Sequence, residues 1–117
     1  MVGAAEGSDV VVCDLSDTID RPILPVTVER TQLLVIRDGE RIVACERACP
    51  HEQADLALGR CADGKLYCPR HYAWFDLGTG QISPGWIAPP LQLFPVMVRG
   101  DQVVVRLSAS PYTAAGS

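Results

Sequence analysis

Two short segments restrict this chain more than any others: Cys49-Pro50-His51 and, after sixteen intervening residues, Cys68-Pro69-Arg70-His71. The 117 residues include only two histidines, and each lies within three positions of a cysteine. A fold that uses both segments must bring two loops face to face, each offering one thiolate and one imidazole. Such donors hold either a tetrahedral zinc or a [2Fe-2S] cluster in which imidazoles replace two thiolates, and ligand type alone leaves both open. Spacing separates them. Zinc sites of this composition usually draw both thiolates from one turn and both imidazoles from another, whereas here each half supplies one of each. The mixed halves suit a cluster in which each loop sends its thiolate to one iron and its imidazole to the other.

Length and composition bound the rest. The chain fits a single domain, 1–117, long enough for a sizeable core at 48% hydrophobic residues. No apolar run approaches the roughly 18 residues of a membrane span. The opening Met1-Val2-Gly3-Ala4-Ala5-Glu6-Gly7-Ser8 lacks the basic residues and apolar stretch of a secretory signal, which leads to a cytoplasmic expectation and no membrane partner. A net charge of -4 without blocks of like charge argues against nucleic acid and points to a positively charged protein surface as partner. Five cysteines is an odd number for a disulfide framework. Cys13 reads as a small buried hydrophobe at the end of Val10-Val11-Val12. Cys45 and Cys61 read as structural thiols, because C-x3-C-x11-C-x6-C matches no ferredoxin spacing.

Periodicity predicts an all-β fold, an antiparallel sandwich or small barrel. Residues 9–14 and 23–30 form strands, the second carrying Pro25 and so suited to an edge or a bulge. Asp38-Gly39 between 33–37 and 41–45 predicts a hairpin, as do Asp63-Gly64 before 65–68 and Gly100-Asp101 between 91–98 and 102–107. The apolar phase of 91–98 shifts across Phe94-Pro95, which predicts a bulge. No window carries a capped helical stripe, and 52–58 offers at most a turn of helix. Two hairpins thus lead directly into the two ligand loops. The small, polar tail 108–117 is expected to fray.

At these residues the sequence resembles the Rieske iron-sulfur proteins, with their C-x-H and C-x2-H halves. The likeness extends from about Val43 to Leu107 and includes Tyr72-Ala73-Trp74-Phe75-Asp76 and Gly78-Thr79-Gly80. It implies one [2Fe-2S] cluster per chain, held by Cys49, His51, Cys68 and His71, in a small cluster-binding subdomain of about 45–90 carried on base strands of about 9–44 and 91–107. It implies a cluster environment of Pro50, Arg70, Tyr72, Trp74, Pro84 and Trp86, the last two in a proline-rich loop, 83–90, that covers the cluster. Two ferric ions, two sulfides and two thiolates sum to zero, so an electron is added at less cost than to an all-thiolate cluster.

The resemblance also has branches. Respiratory and photosynthetic members carry a further cysteine in each ligand loop, joined as a disulfide, where this chain has Ala54 and Arg70. They place serine and tyrosine hydroxyls on the cluster sulfurs where this chain has Ala73 and Phe75. Rieske oxygenases need a second iron on two more histidines, and this chain has none to spare. The resemblance thus implies not an enzyme but a monomeric ferredoxin, taking single electrons from a flavin-dependent NAD(P)H reductase to a terminal oxygenase, either an aromatic-ring dioxygenase or a diiron monooxygenase. The alternatives are a small Rieske-like subunit of a nitrite reductase complex, which commonly lacks the ligands, and a structural zinc module. Without hydroxyl donors to its sulfurs the cluster should titrate in the low-potential branch; a redox titration with a midpoint in the respiratory range would contradict this.

Overall fold

The computed structural model describes residues 8–50, 53–69 and 73–107. Its architecture follows from Leu33-Leu34-Val35-Ile36, four apolar residues in a row on the strand β3 (Thr31–Asp38), all fully buried. An uninterrupted apolar strand must be covered on both faces. Here β3 lies inside a four-stranded antiparallel sheet, between β2 (Ile23–Val28) and β4 (Arg41–Glu46), with β8 (Leu93–Phe94) beyond β4. Leu33 and Ala44 face one core together with Val28 and Val105, while Leu34, Ile36, Val43 and Cys45 face another.

The first core is closed by a three-stranded sheet in the order β1 (Ser8–Asp14), β10 (Gln102–Leu107), β9 (Val96–Arg99), which contributes Val10, Val12, Val96 and Val105. The second core is closed by the small sheet of β5 (Arg60–Ala62), β6 (Lys65–Tyr67) and β7 (Trp74–Asp76), through Leu66 and Phe75. All the pairings are antiparallel, as the all-β expectation requires. Pro25 stands on the outer strand β2, where its missing N–H interrupts no ladder. The expected turns form; between Ala62 and Lys65, Asp63 (φ +53) and Gly64 (φ +75) both adopt the left-handed conformation of a two-residue hairpin turn.

Three local expectations are corrected. Residues 91–98 do not make one bulged strand. At Pro95 the chain changes sheets, with Leu93 and Phe94 pairing to β4 and Val96 to Val98 pairing to β10. The Pro95 carbonyl still accepts the Arg106 N–H at 2.9 Å. A helix that periodicity did not predict, α1 (Asp17–Asp20), is a single turn, too short for any apolar stripe. Thr18 anchors it: the buried hydroxyl donates to the Leu15 carbonyl (2.7 Å) and accepts from Arg37 Nε (3.0 Å). Cys13 is only half-buried, because the register shifts between Val11 and Cys13 and Val12 joins Val10 on the core face.

At the end of β4, the Glu46 carboxylate accepts the Gln92 N–H at 2.6 Å while its own N–H donates to the Gln92 carbonyl at 3.0 Å. Burial raises the Glu46 carboxyl above the ordinary range, and the Gln92 N–H works against that rise. The folded chain therefore binds this proton more tightly than the unfolded one. The group's contribution to stability falls as pH rises from about 4.3 through the raised folded value. Glu46→Gln keeps an acceptor for Gln92 and removes the charge, so it should flatten this decline and leave neutral-pH stability equal or higher. Urea midpoints across that pH range check it, and a variant weaker than the parent at neutral pH would sink the assignment.

Candidate metal centre

Both cysteine segments open six-residue loops that close in the same way. The Cys49 N–H donates to the Ala54 carbonyl at 2.8 Å, and the Cys68 N–H donates to the Ala73 carbonyl at 3.0 Å. In each, the cysteine begins the loop, a proline without an N–H follows, and an alanine five positions on ends it. Each loop rests on paired backbone: Ala48 bridges to Asp55 below the first, and Tyr67 pairs with Trp74 below the second. The first is braced further by a bidentate pair, Arg47 Nε to Asp55 Oδ1 and Arg47 Nη2 to Asp55 Oδ2, both 2.9 Å. Asp55 also accepts the Ala57 N–H at 3.0 Å, capping the 3-10 turn Leu56–Leu58 that occupies the end of the predicted 52–58 segment.

Both loops bury their cysteines in one core. Cys49 is 1% exposed and Cys68 3%, and both belong to the core that contains Cys45, Leu56, Leu66 and Phe75. Two soft thiolate donors, delivered from opposite loops into a common apolar core, fit an iron-sulfur cluster. His51, Arg70, His71 and Tyr72 lie outside the described residues. Of the remaining predicted environment, Pro50 and Trp74 are half-buried and Pro84 is exposed. Trp86 is half-buried in the proline-rich loop, which is tied at both ends to the small sheet and the turn after it. Ser83 donates its N–H to the Trp74 carbonyl (2.8 Å) and accepts the Trp74 N–H on Oγ (3.1 Å), while Leu91 donates to the Gly80 carbonyl (2.7 Å). Phe75 is fully buried in the core shared by the two cysteines; Trp74 lies under the Lys65 ammonium, 4.5 Å from its ring centroid.

A Rieske [2Fe-2S] domain model matches residues 8–95. The chain belongs to this family. It is 29% identical, over 80% of its length and 90% of the relative's, to the ferredoxin component of the naphthalene 1,2-dioxygenase system of Pseudomonas putida. It is 31% identical to the ferredoxin component of the alkene monooxygenase system of Xanthobacter autotrophicus, over 87% and 84% of the two chains. A ferredoxin solved in complex with the oxygenase of carbazole 1,9a-dioxygenase superposes with a TM-score of 0.73 at 32% identity, covering 84% of this chain and 92% of that one. In Pseudomonas putida NdmA the same fold recurs (TM-score 0.76, 24% identity, 86% of this chain), but this chain spans only 34% of that protein's length. This Rieske chain is thus an electron carrier on a [2Fe-2S] cluster and not itself a catalyst.

Sequence reasoning missed the charge pairing around the site. Arg47 and Asp55 hold each other; Arg47 keeps the Asp55 carboxyl below the usual carboxylate range, against a smaller opposing effect of burial. Of the other thiols, burial raises Cys45, with Glu46 and Cys61 adding to the rise, and burial also raises Cys61. Also missed was Gly59, whose Cβ would fall on the Tyr67 carbonyl oxygen, one residue before Cys68. Its φ suits any residue, so only space excludes a side chain. Gly59→Ala should displace the end of β6, costing about 1–3 kcal/mol and lowering the iron bound per chain. Unfolding midpoints and iron analysis check this, and an unchanged protein would show that the close approach does not position Cys68.

Proposed function

We propose that Cys49 and Cys68 hold one iron of the cluster and His51 and His71 the other, one cluster per chain, within a cluster-binding unit of about 45–90. The observation that carries this is the matched closure of the two loops around buried cysteines. When bound, the cluster supplies a one-electron redox couple with neutral imidazole ligands on one iron. The chain's own residues do the rest. The Cys–Ala hydrogen bonds and the Arg47–Asp55 pair fix where the thiolates point. Leu56, Leu66 and Phe75 keep water from the thiolate side, and Pro84 and Trp86 belong to a loop covering the cluster.

The donor is a flavin-dependent NAD(P)H reductase and the acceptor a terminal oxygenase, with the chain acting as a monomer in the cytoplasm. Relatives named as ferredoxin components of a dioxygenase and of a monooxygenase system support an oxygenase acceptor and leave both oxygenase classes in play. The described residues include no helix long and apolar enough to cross a membrane.

The test is a spectrum and a composition on one sample. After dithionite reduction the protein should show an anisotropic mixed-valence EPR signal of the imidazole-ligated type, with iron and acid-labile sulfide equal and zinc absent. His71→Ala should abolish that signal while the β fold persists by circular dichroism. One zinc per chain with no sulfide overturns the assignment.

A further inference from the structure

Beside the second loop lies an open groove of about 680 Å³, lined by Leu58, Arg60, Tyr67, Trp74 and the Cys68-Pro69 start of the loop. Leu58 is 74% exposed, an apolar side chain left in water at the end of a turn whose other leucine, Leu56, is fully buried. The cations here differ from the four arginines that form ion pairs among the described residues. Arg41, Arg47, Arg99 and Arg106 each face a carboxylate. Arg60 instead lies 4.8 Å from the Tyr67 ring centroid and Lys65 4.5 Å from that of Trp74. A ring attracts a cation without neutralising it, and among the described residues neither forms an ion pair within 4 Å, although Asp76 lies opposite Lys65 across the β6–β7 ladder. The lining residues include no acid. In a chain of net charge -4, this groove thus sets Arg60, and Lys65 over the ring of its lining residue Trp74, beside an exposed leucine, with Asp76 opposite Lys65 in the β6–β7 register.

We propose that this groove receives an acidic segment of a partner protein, with a central apolar side chain against Leu58 and the rings and carboxylates at Arg60 and Lys65. Its purpose rests on the electron-carrier reading, since Cys68 lines the same groove and a segment docked there touches the loop that presents the second thiolate. The overall charge suggested a positively charged partner surface; locally the sign is reversed. An acidic feature thus selects the partner and speeds encounter at low salt, while the small contact lets the carrier leave again.

The probe is a dye-labelled peptide, Asp-Glu-Leu-Phe-Glu-Asp, titrated with the cluster-loaded protein and followed by fluorescence anisotropy at low salt; an analogue with lysines for the acids is the control. The acidic peptide should bind and the lysine analogue should not. Leu58→Glu, and Arg60→Glu combined with Lys65→Glu, should each weaken binding by about tenfold, with the EPR signal of the reduced protein unchanged. No binding of the acidic peptide, or equal binding by parent and variants, overturns the proposal. Loss of the EPR signal from the parent itself would overturn the electron-carrier reading instead, whatever the peptide does.

Discussion

The doubly buried hairpin of β3 and β4 is the constraint on which the rest of this molecule depends. A strand carrying Leu33, Leu34, Val35 and Ile36 in succession cannot face water on either side. Each such side chain stabilises the fold by about 1.5–3 kcal/mol when buried, so two layers are required. One is the β1-β10-β9 sheet. The other is the small sheet and the two ligand loops, whose Cys49 and Cys68 share a core with Leu34, Ile36, Val43 and Cys45. The two cysteine loops are thus not appended to a finished scaffold; Cys49 and Cys68 help close the second face of the central sheet.

This has a bearing on electron transfer. A carrier that exchanges single electrons works best when the site changes shape little between charge states. β4 runs within three residues of Cys49 and β6 ends one residue before Cys68. Each thiolate is therefore set by a strand end and by a loop-closing hydrogen bond of its own. Among the described residues, two carboxylates near the site are also matched: Asp55 to Arg47 and Ala57, and Glu46 to Gln92.

Much of this was legible in the residues, and for identifiable reasons. Asp-Gly turns between apolar runs mark hairpins because few residues adopt left-handed backbone, and every hairpin so marked forms. The mixed Cys/His halves pointed to a cluster because ligand spacing reflects how loops approach a metal. What stayed hidden depends on partners distant in the chain. The switch of sheets at Pro95 is decided by which neighbours Phe94 and Val96 meet, and phase alone showed only a break. The α1 turn is held by Arg37, nineteen residues from Thr18. The half-exposure of Cys13 comes from a register shift against β10. Nor did sequence adjacency reveal that Arg60 and Lys65 sit over aromatic rings while Arg47 pairs with an acid.

The first ligand loop shows what replaces a covalent brace. Where the resemblance places a bridging cysteine in the high-potential branch, this chain has Ala54, whose carbonyl takes the Cys49 N–H, followed by Asp55 in the grip of Arg47. A brace of hydrogen bonds and opposite charges contains no bond that a thiol can attack, so its integrity is independent of the surrounding glutathione or thioredoxin poise. Its vulnerability is transferred from reductants to protons. Because Arg47 depresses the Asp55 carboxyl, that vulnerability lies further into acid than it would for an unpaired carboxylate.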